Sequence, residues 1–367
     1  MNKKAFLAKS NDYYQKLGIT KETATWEDGM RSTGGKGTYE WWYFDAEYTD
    51  GTKVVVVFYT KDGFDVKGPA NPTASLEATL PDGRKISKYF SEGKGQKIRA
   101  LKDQCRVKIG ESSIKYSKGN YLIHFVDGDV EYTCTMRPKL PMWRPGTGHW
   151  FYGEKQEHYF AWFVPVPSAD VRATLKVKGE IFQLKGNGYH DHNWGNIDMN
   201  KLMNHWYWGR VNIGTYTIIA CDIIAEKKYG CTRLPVIMLA KDGTILEDDE
   251  EKVEVKRSGT ECHPVTKKFI DNKLNYIYHG ENGANYNIEF KRESDILAIS
   301  LLDKLGLPAV KKLAAKAMKL NPTYIRCIGE VKVTVGKDGK KEVFEKEGLW
   351  EQMFFGSNKD AVIEKDN

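Results

Sequence analysis

The sequence predicts an all-β protein built from antiparallel sheets, and three observations carry that expectation. First, Asp-Gly dipeptides recur at Asp50-Gly51, Asp62-Gly63, Asp82-Gly83, Asp127-Gly128, Asp242-Gly243 and Asp338-Gly339, each beside Val/Ile/Tyr/Thr-rich stretches of strand length. Such dipeptides suit the positive-φ turns of tight hairpins. Second, runs such as SIKYS, YLIHFVD, VEYTCTM, TYTIIACDIIA and IGEVKVTVG are too short for helices, and several alternate aromatic or branched residues with polar ones. That alternation fits sheets with one face on a core or cavity, as in barrels and sandwiches. Third, the clear exception to β is residues 295–320. After Pro308, Val310, Leu313, Ala314, Ala317 and Met318 form a helical stripe with Lys311, Lys312, Lys316 and Lys319 on other faces. This short helical insertion reads either as a cover for a barrel end or as a Lys-rich amphipathic element that rests transiently on a membrane surface.

Taken in order, residues 3–18 suggest a short amphipathic helix ended by Gly18, and residues 1–24 as a whole an N-terminal arm. An irregular stretch follows up to Gly37. Regular structure then begins with TYEWWYFDAEY, an Asp-Gly turn and KVVVVFY, a hairpin signal. EWWYFDAEYTDGTKVVVVFY is echoed by HWYWGRVNIGTYTIIACDI from residue 205: an aromatic cluster, a turn near Gly, and an aliphatic return. The acidic run Glu247 to Glu251 is the expected boundary, giving a pocket-bearing domain over 25–246 and a second domain over 247–367 that contains the helical insert.

With 367 residues the chain has the length for two domains and a sizeable core. Its 56 Lys and Arg against 49 Asp and Glu leave a net charge of +7 spread along the chain, too mild to argue for a nucleic-acid partner. No apolar run approaches the ~20 residues of a membrane span, and the apolar segment after Met1 is too short for a signal peptide, so a cytoplasmic protein is expected. The six cysteines include no C-x-x-C pair and read as inert thiols. There is no G-x-x-x-x-G-K-[ST], no G-x-G-x-x-G after a strand and no G-x-S-x-G, which leaves nucleotide-driven and α/β-hydrolase chemistry unsupported.

The densest chemistry is Gly188 to Asn196, GYHDHNWGN. His190, Asp191 and His192 put a carboxylate between two imidazoles, Asn193 adds an amide, and Trp194 a flat apolar face with one donor. In a strand the two histidines would share one side and Asp191 the other; in a turn all three could converge. Acid/base work, a hydrogen-bonded structural corner, and a zinc site completed by His205 are the alternatives, the last weakened by the absence of a clear third ligand. Two further stretches would complete a pocket. On the strand from Tyr39 to Asp45, Glu40, Trp42 and Phe44 share one side and Trp41, Tyr43 and Asp45 the other. From His205 to Arg210, Trp208 offers a ring and Arg210 a carboxylate partner. GLWEQMFFG, 348–356, reads as a closing strand in which Glu351 is the one residue worth testing.

YEWWYFDAEYTDG, GYHDHNWG and the W-Y-W-G-R strand resemble the lipocalin-like two-domain superfamily of carotenoid 1,2-hydratases, kievitone-hydratase-type enzymes and Diels–Alderases. The resemblance implies two tandem lipocalin-like (calycin) antiparallel β-barrels or half-barrels, a hydrophobic pocket, a small lipophilic substrate, and no metal or cofactor. It leaves the reaction open. The first expectation is a hydratase or cyclase in which Asp191, or Glu40, with His190 nearby, protonates a C=C bond. Trp41, Trp42, Tyr43, His192, Asn193, Trp194, His205, Trp208 and Arg210 would bind the substrate. The others are a pericyclase that folds a linear polyene for an intramolecular Diels–Alder reaction, and a non-catalytic carrier of a lipophilic metabolite.

Overall fold

The structure, a computed structural model, describes residues 5–280, 283–301 and 321–355. These residues form two antiparallel sheets with few helical turns. The main path of the first sheet runs in space Lys85–Ser91, Thr73–Thr79, Lys53–Tyr59, Tyr39–Tyr48, Glu180–Gly195, His158–Val177, Val130–Pro138, Asn120–Asp127, Ser112–Ser117, Arg106–Ile109, Arg99–Ala100. The second runs Thr244–Glu247, Arg233–Lys241, Tyr216–Ala225, Met203–Ile213, Lys340–Phe354, Thr323–Lys337, Asn285–Ser300, Phe269–His279, Val253–Cys262.

The two share one plan. Each opens with a meander, then the chain crosses to the far edge and works back until its closing strand pairs with the opening one. Glu180–Gly195 pairs with Tyr39–Tyr48, and Lys340–Phe354 with Met203–Ile213. Both sheets curl. In the first, Thr73–Thr79 and Lys85–Ser91 come against Asn120–Asp127; in the second, Arg233–Lys241 comes against Val253–Cys262. This is the lipocalin-like half-barrel arrangement, and the two hairpins that echo each other in sequence hold the same place in it.

Alternation fills the inside of the first curl. Trp42, Phe44, Ala46 and Tyr48 meet Val54, Val56, Phe58, Leu76, Ile123 and Phe125 in one core. Removing a ring as buried as Phe58 would cost about 3–5 kcal/mol. The second curl is packed likewise by Tyr207, Ile218, Ile237, Leu274, Ile288, Val333 and Trp350.

The turns behave as their residues require. Asp242 and Gly243 have φ of 49° and 82°, and Asp338 and Gly339 of 51° and 74°, the consecutive positive values of a type I′ hairpin. Asp62-Gly63 instead opens a loop that lasts to Thr73. There Asp62 accepts the Phe64 N–H at 2.8 Å, and Lys61 Nζ donates to the Val66 carbonyl at 3.3 Å, so side chains take over from a hairpin ladder.

Three expectations need correction. The N-terminal helix is confined to Asn11–Leu17, closed by Gly18 at φ 67°; Ala5–Leu7 is a strand. Residues 295–300 extend the strand Asn285–Ser300, because Leu297, Ala298 and Ile299 find ladder partners in Arg326, Ile325 and Tyr324. The remainder of the expected helical insert, 302–320, lies outside the described residues. Finally, the division between compact units falls near residue 198, not at the acidic run. Glu247 ends an edge strand of the second sheet. Asp249 caps the turn Glu250–Lys252 that leads to the other edge, so the acidic residues form a solvated link within one sheet.

Candidate active site

GYHDHNWGN lies within the strand Glu180–Gly195, so strand parity divides it between two faces. Trp194, His192 and His190 stand opposite Glu40, Trp42 and Phe44 on the inner face. Asn193, Asp191 and Tyr189 stand opposite Trp41, Tyr43 and Asp45 on the outer face.

On the inner face the imidazoles meet two carboxylates, all four groups fully buried. His190 Nε2 lies 3.0 Å from Asp28 Oδ2, while its Nδ1 lies 2.9 Å from the Tyr43 carbonyl. His192 Nε2 is 2.7 Å from Glu40 Oε1, and its Nδ1 faces Asp28 Oδ1 at 3.4 Å. Phe44 stacks on His190 at 3.9 Å and Trp42 on His192 at 4.6 Å. Glu40 also accepts the backbone N–H groups of Arg31 and Ser32 at 2.6 and 2.8 Å, and Tyr121 donates to Asp28 at 2.8 Å. These bonds seat the turn Thr25–Asp28 in the sheet.

Electrostatics make the quartet an ion-paired unit. Burial would raise the Asp28 carboxyl, but the adjacent His190 and His192 imidazoles outweigh it and hold Asp28 well below the usual carboxylate range. Burial works to lower His192, and the Asp28 and Glu40 carboxylates overcome it, so His192 is raised. Among the described residues, Asp28, Cys105 and His190 could hold a metal ion, with ligand atoms within 4.8 Å of one another. Two features oppose it: Asp28 Oδ2 is engaged by Tyr121 and His190, and burial pushes the Cys105 thiol well above its usual range, disfavouring the thiolate a metal needs.

The outer face has a different character. Asp191 Oδ1 accepts from Asn193 Nδ2 at 2.7 Å; Oδ2 accepts from the Tyr189 hydroxyl at 2.9 Å and Trp162 Nε1 at 3.1 Å. Burial, then the charge of Asp191, push the Tyr189 phenol well above its usual range, so the phenol keeps its proton. Rings surround the dyad. Trp143 meets Trp162 edge-on at 6.0 Å, Trp150 stacks on it at 6.2 Å, Tyr43 lies 6.4 Å from Tyr189, and Trp41 lies 6.2 Å from Phe160. Asp191 keeps 8% exposure and Trp41 and Tyr43 are half-buried, whereas the inner quartet has essentially none. A carboxyl hydrogen-bonded to a phenol beside ring faces places a proton-transfer group next to surfaces that stabilise a cation.

The expectation of one cavity holding Glu40 or Trp42 with Asp191 and Trp208 is therefore revised. Glu40 and Trp42 lie on the face opposite Asp191, because residues of odd and even number point apart on a strand. His205, Trp208 and Arg210 belong to the second sheet. There His205 is an inner residue whose Nδ1 donates to Asn204 Oδ1 at 2.8 Å and whose Nε2 accepts from Arg257 Nη1 at 3.1 Å, which fixes a neutral tautomer. Trp208 and Arg210 lie on the outer face of that sheet.

Sequence reasoning missed Asp28, Tyr121, Tyr189 and Trp162. The signal for Asp28 was present: two histidines on one inner face need more carboxylate than Glu40 supplies, and the nearest upstream acids are Glu27 and Asp28.

A family model described as Diels-Alderase-like matches residues 120–293. The hydroxyneurosporene dehydrogenase of Chlorobaculum tepidum is 26% identical over 350 residues, covering 84% of this chain and 81% of that protein. A quinolone epoxide rearrangement protein of Emericella nidulans is 22% identical over 207 residues, 52% of this chain and 55% of that one. Among solved structures, CghA superposes with a TM-score of 0.61 at 14% identity, covering 97% of this chain and 98% of CghA. Kievitone hydratase from Nectria haematococca superposes at 0.56 and 12% identity, covering 95% and 96%. In its motifs, in the matched segment and in its fold, the chain is similar to the lipocalin-like two-domain proteins that include carotenoid 1,2-hydratase, kievitone-hydratase-type and Diels–Alderase proteins.

Proposed function

We propose that the chain is a cofactor-independent hydratase or cyclase acting in the cytoplasm on a small lipophilic isoprenoid or polyene. Asp191 is the acid. Its proton passes to one carbon of a C=C bond, leaving a cation on the other, which the faces of Trp41, Tyr43 and Trp162 stabilise. Water adds to the cation and surrenders a proton to the Asp191 carboxylate, so the net change is addition of one water; an internal alkene in place of water closes a ring and moves the cation to a new carbon, whose neighbouring C–H gives up its proton to the Asp191 carboxylate, so the net change is isomerisation. Tyr189 holds the proton with Asp191, since a phenol both donates and accepts. Asn193 and Trp162 orient the carboxyl. Glu40, His190 and His192, with Trp42 and Trp194, support the strand from its inner face.

The observation that carries this reading is the Asp191 carboxyl held by Tyr189, Trp162 and Asn193 within an aromatic surface. Incubation with an acyclic carotenoid in heavy water tests it. A product heavier by one water, with deuterium on the carbon next to the new hydroxyl-bearing carbon, is expected; a product without solvent deuterium would refute protonation.

The Diels-Alderase-like family match favours a second reading, in which the same surface folds a linear polyene for cycloaddition. In that case Trp41→Ala and Trp162→Ala change the stereochemical outcome, and Asp191→Asn leaves the rate nearly intact.

A further inference from the structure

The correspondence between the opening hairpins extends to the strands that close each sheet. Tyr43 is paired with Asp191 and Trp41 with Asn193; in the second sheet Trp208 is paired with Glu351 and Trp206 with Met353. With Glu40 to Asp45 set against His205 to Arg210, Glu351 falls on the position of Asp191. Its surroundings agree in kind. Tyr324 donates its hydroxyl to Glu351 Oε1, as Tyr189 does to Asp191. The half-buried rings of Trp206 and Trp208 stand where Trp41 and Tyr43 stand in the first sheet, and Glu351 itself retains 9% exposure.

One difference gives the position its own chemistry. Arg326 is the ladder partner of Glu351, and Arg210 lies on the same face two residues beyond Trp208. Asp191 has instead the neutral Asn193, Trp162 and Tyr189. A carboxylate that takes a phenol proton-donor and has an arginine for its ladder partner is placed to act as an acceptor of hydrogen bonds.

We propose that Glu351, positioned by Tyr324, is a ligand-contacting group on the outer face of the second sheet itself, whose carboxylate accepts the O–H of a hydroxylated, otherwise apolar polyene lying over Trp206 and Trp208. This rests on the polyene reading given above, but its test reads binding and not turnover. Equilibrium binding of all-trans-retinol is compared with that of axerophthene, the same skeleton without the hydroxyl. The native chain should prefer retinol by roughly tenfold, the worth of one hydrogen bond to a charged acceptor. Glu351→Gln and Glu351→Met should bring retinol down to the level of axerophthene while leaving axerophthene within about twofold of native. Asp191→Asn should keep the preference while losing turnover. Equal binding of the two probes by the native chain, or a preference that survives in both Glu351 variants, overturns the proposal. Failure of both probes to bind overturns it together with the polyene reading.

Discussion

Each sheet buries a histidine on its inner face where the opening and closing strands pair, and the two sheets surround theirs with charge of opposite sign. In the first, His192 sits between Asp28 and Glu40, and the two carboxylates raise its pKa against the effect of burial. In the second, His205 is fully buried beside Arg257, with Arg233 and Lys268 near; burial and these cations push it well below its usual range. The carboxylates there, Asp222 and Asp271, are taken up elsewhere: Arg233 holds Asp222 at 2.7 Å and the Tyr207 hydroxyl holds Asp271 at 2.6 Å. The shared topology thus decides where a polar side chain stands, and the neighbouring charges decide its protonation. On the outer faces Asp191 accepts from the neutral donors Asn193, Tyr189 and Trp162, and Glu351 accepts from Tyr324 with Arg326 as its ladder partner.

The largest expected effect comes from removing the charge that holds the first quartet together. Asp28→Asn leaves two buried imidazoles short of a counter-charge and should destabilise the protein by about 3–5 kcal/mol in urea unfolding. A loss under about 1 kcal/mol would mean the quartet is not ion-paired. Next comes His149, which burial pushes down to about 4. Its unfolded form binds a proton near pH 6.5 while the folded form stays neutral, so stability should fall as pH drops from about 6.5 to about 4. The loss is on the order of 3 kcal/mol, and His149→Phe should flatten that limb.

A smaller test separates the two inner histidines by sign. His192 is raised, so its contribution is fully present below the unfolded pKa and is lost as pH rises through the folded one. His205 is lowered, so its contribution is present above the unfolded pKa and is lost as pH falls below it. His192→Gln should therefore remove an alkaline-side slope in stability, and His205→Gln an acid-side slope. The same sign for both would break the comparison. Smallest is Trp162→Phe, which removes one of the donors to Asp191 and should lower turnover about tenfold with unfolding midpoints little changed.

Much of this was legible in the residues. Dipeptides such as Asp242-Gly243 and Asp338-Gly339 located hairpins because few residues adopt two successive positive φ values. Strand parity was also legible: it separates Asp191 from His190 and His192, and once the stretch proves to be a strand, a single cavity holding all three is ruled out. Asp28 left only the indirect signal of two inner-face histidines, because it lies 162 residues from His190 in chain order and comes beside it through the pairing of Tyr39–Tyr48 with Glu180–Gly195. Trp162 was hidden for another reason. Its strand carries register shifts between Phe163 and Val166 and between Val166 and Ala169, so no count along the sequence aligns it with Asn193. The domain boundary misled because a charged linker reads the same whether it joins two domains or two edges of one sheet.

Asp191 as proton donor is tested most directly by the turnover of Asp191→Asn on an acyclic carotenoid, with its unfolding midpoint recorded alongside. A loss of at least roughly a hundredfold is expected, with no solvent deuterium in any residual product and a midpoint close to native. Full activity in a folded Asp191→Asn protein would contradict it and leave the outer face of the first sheet as a shape-determining surface.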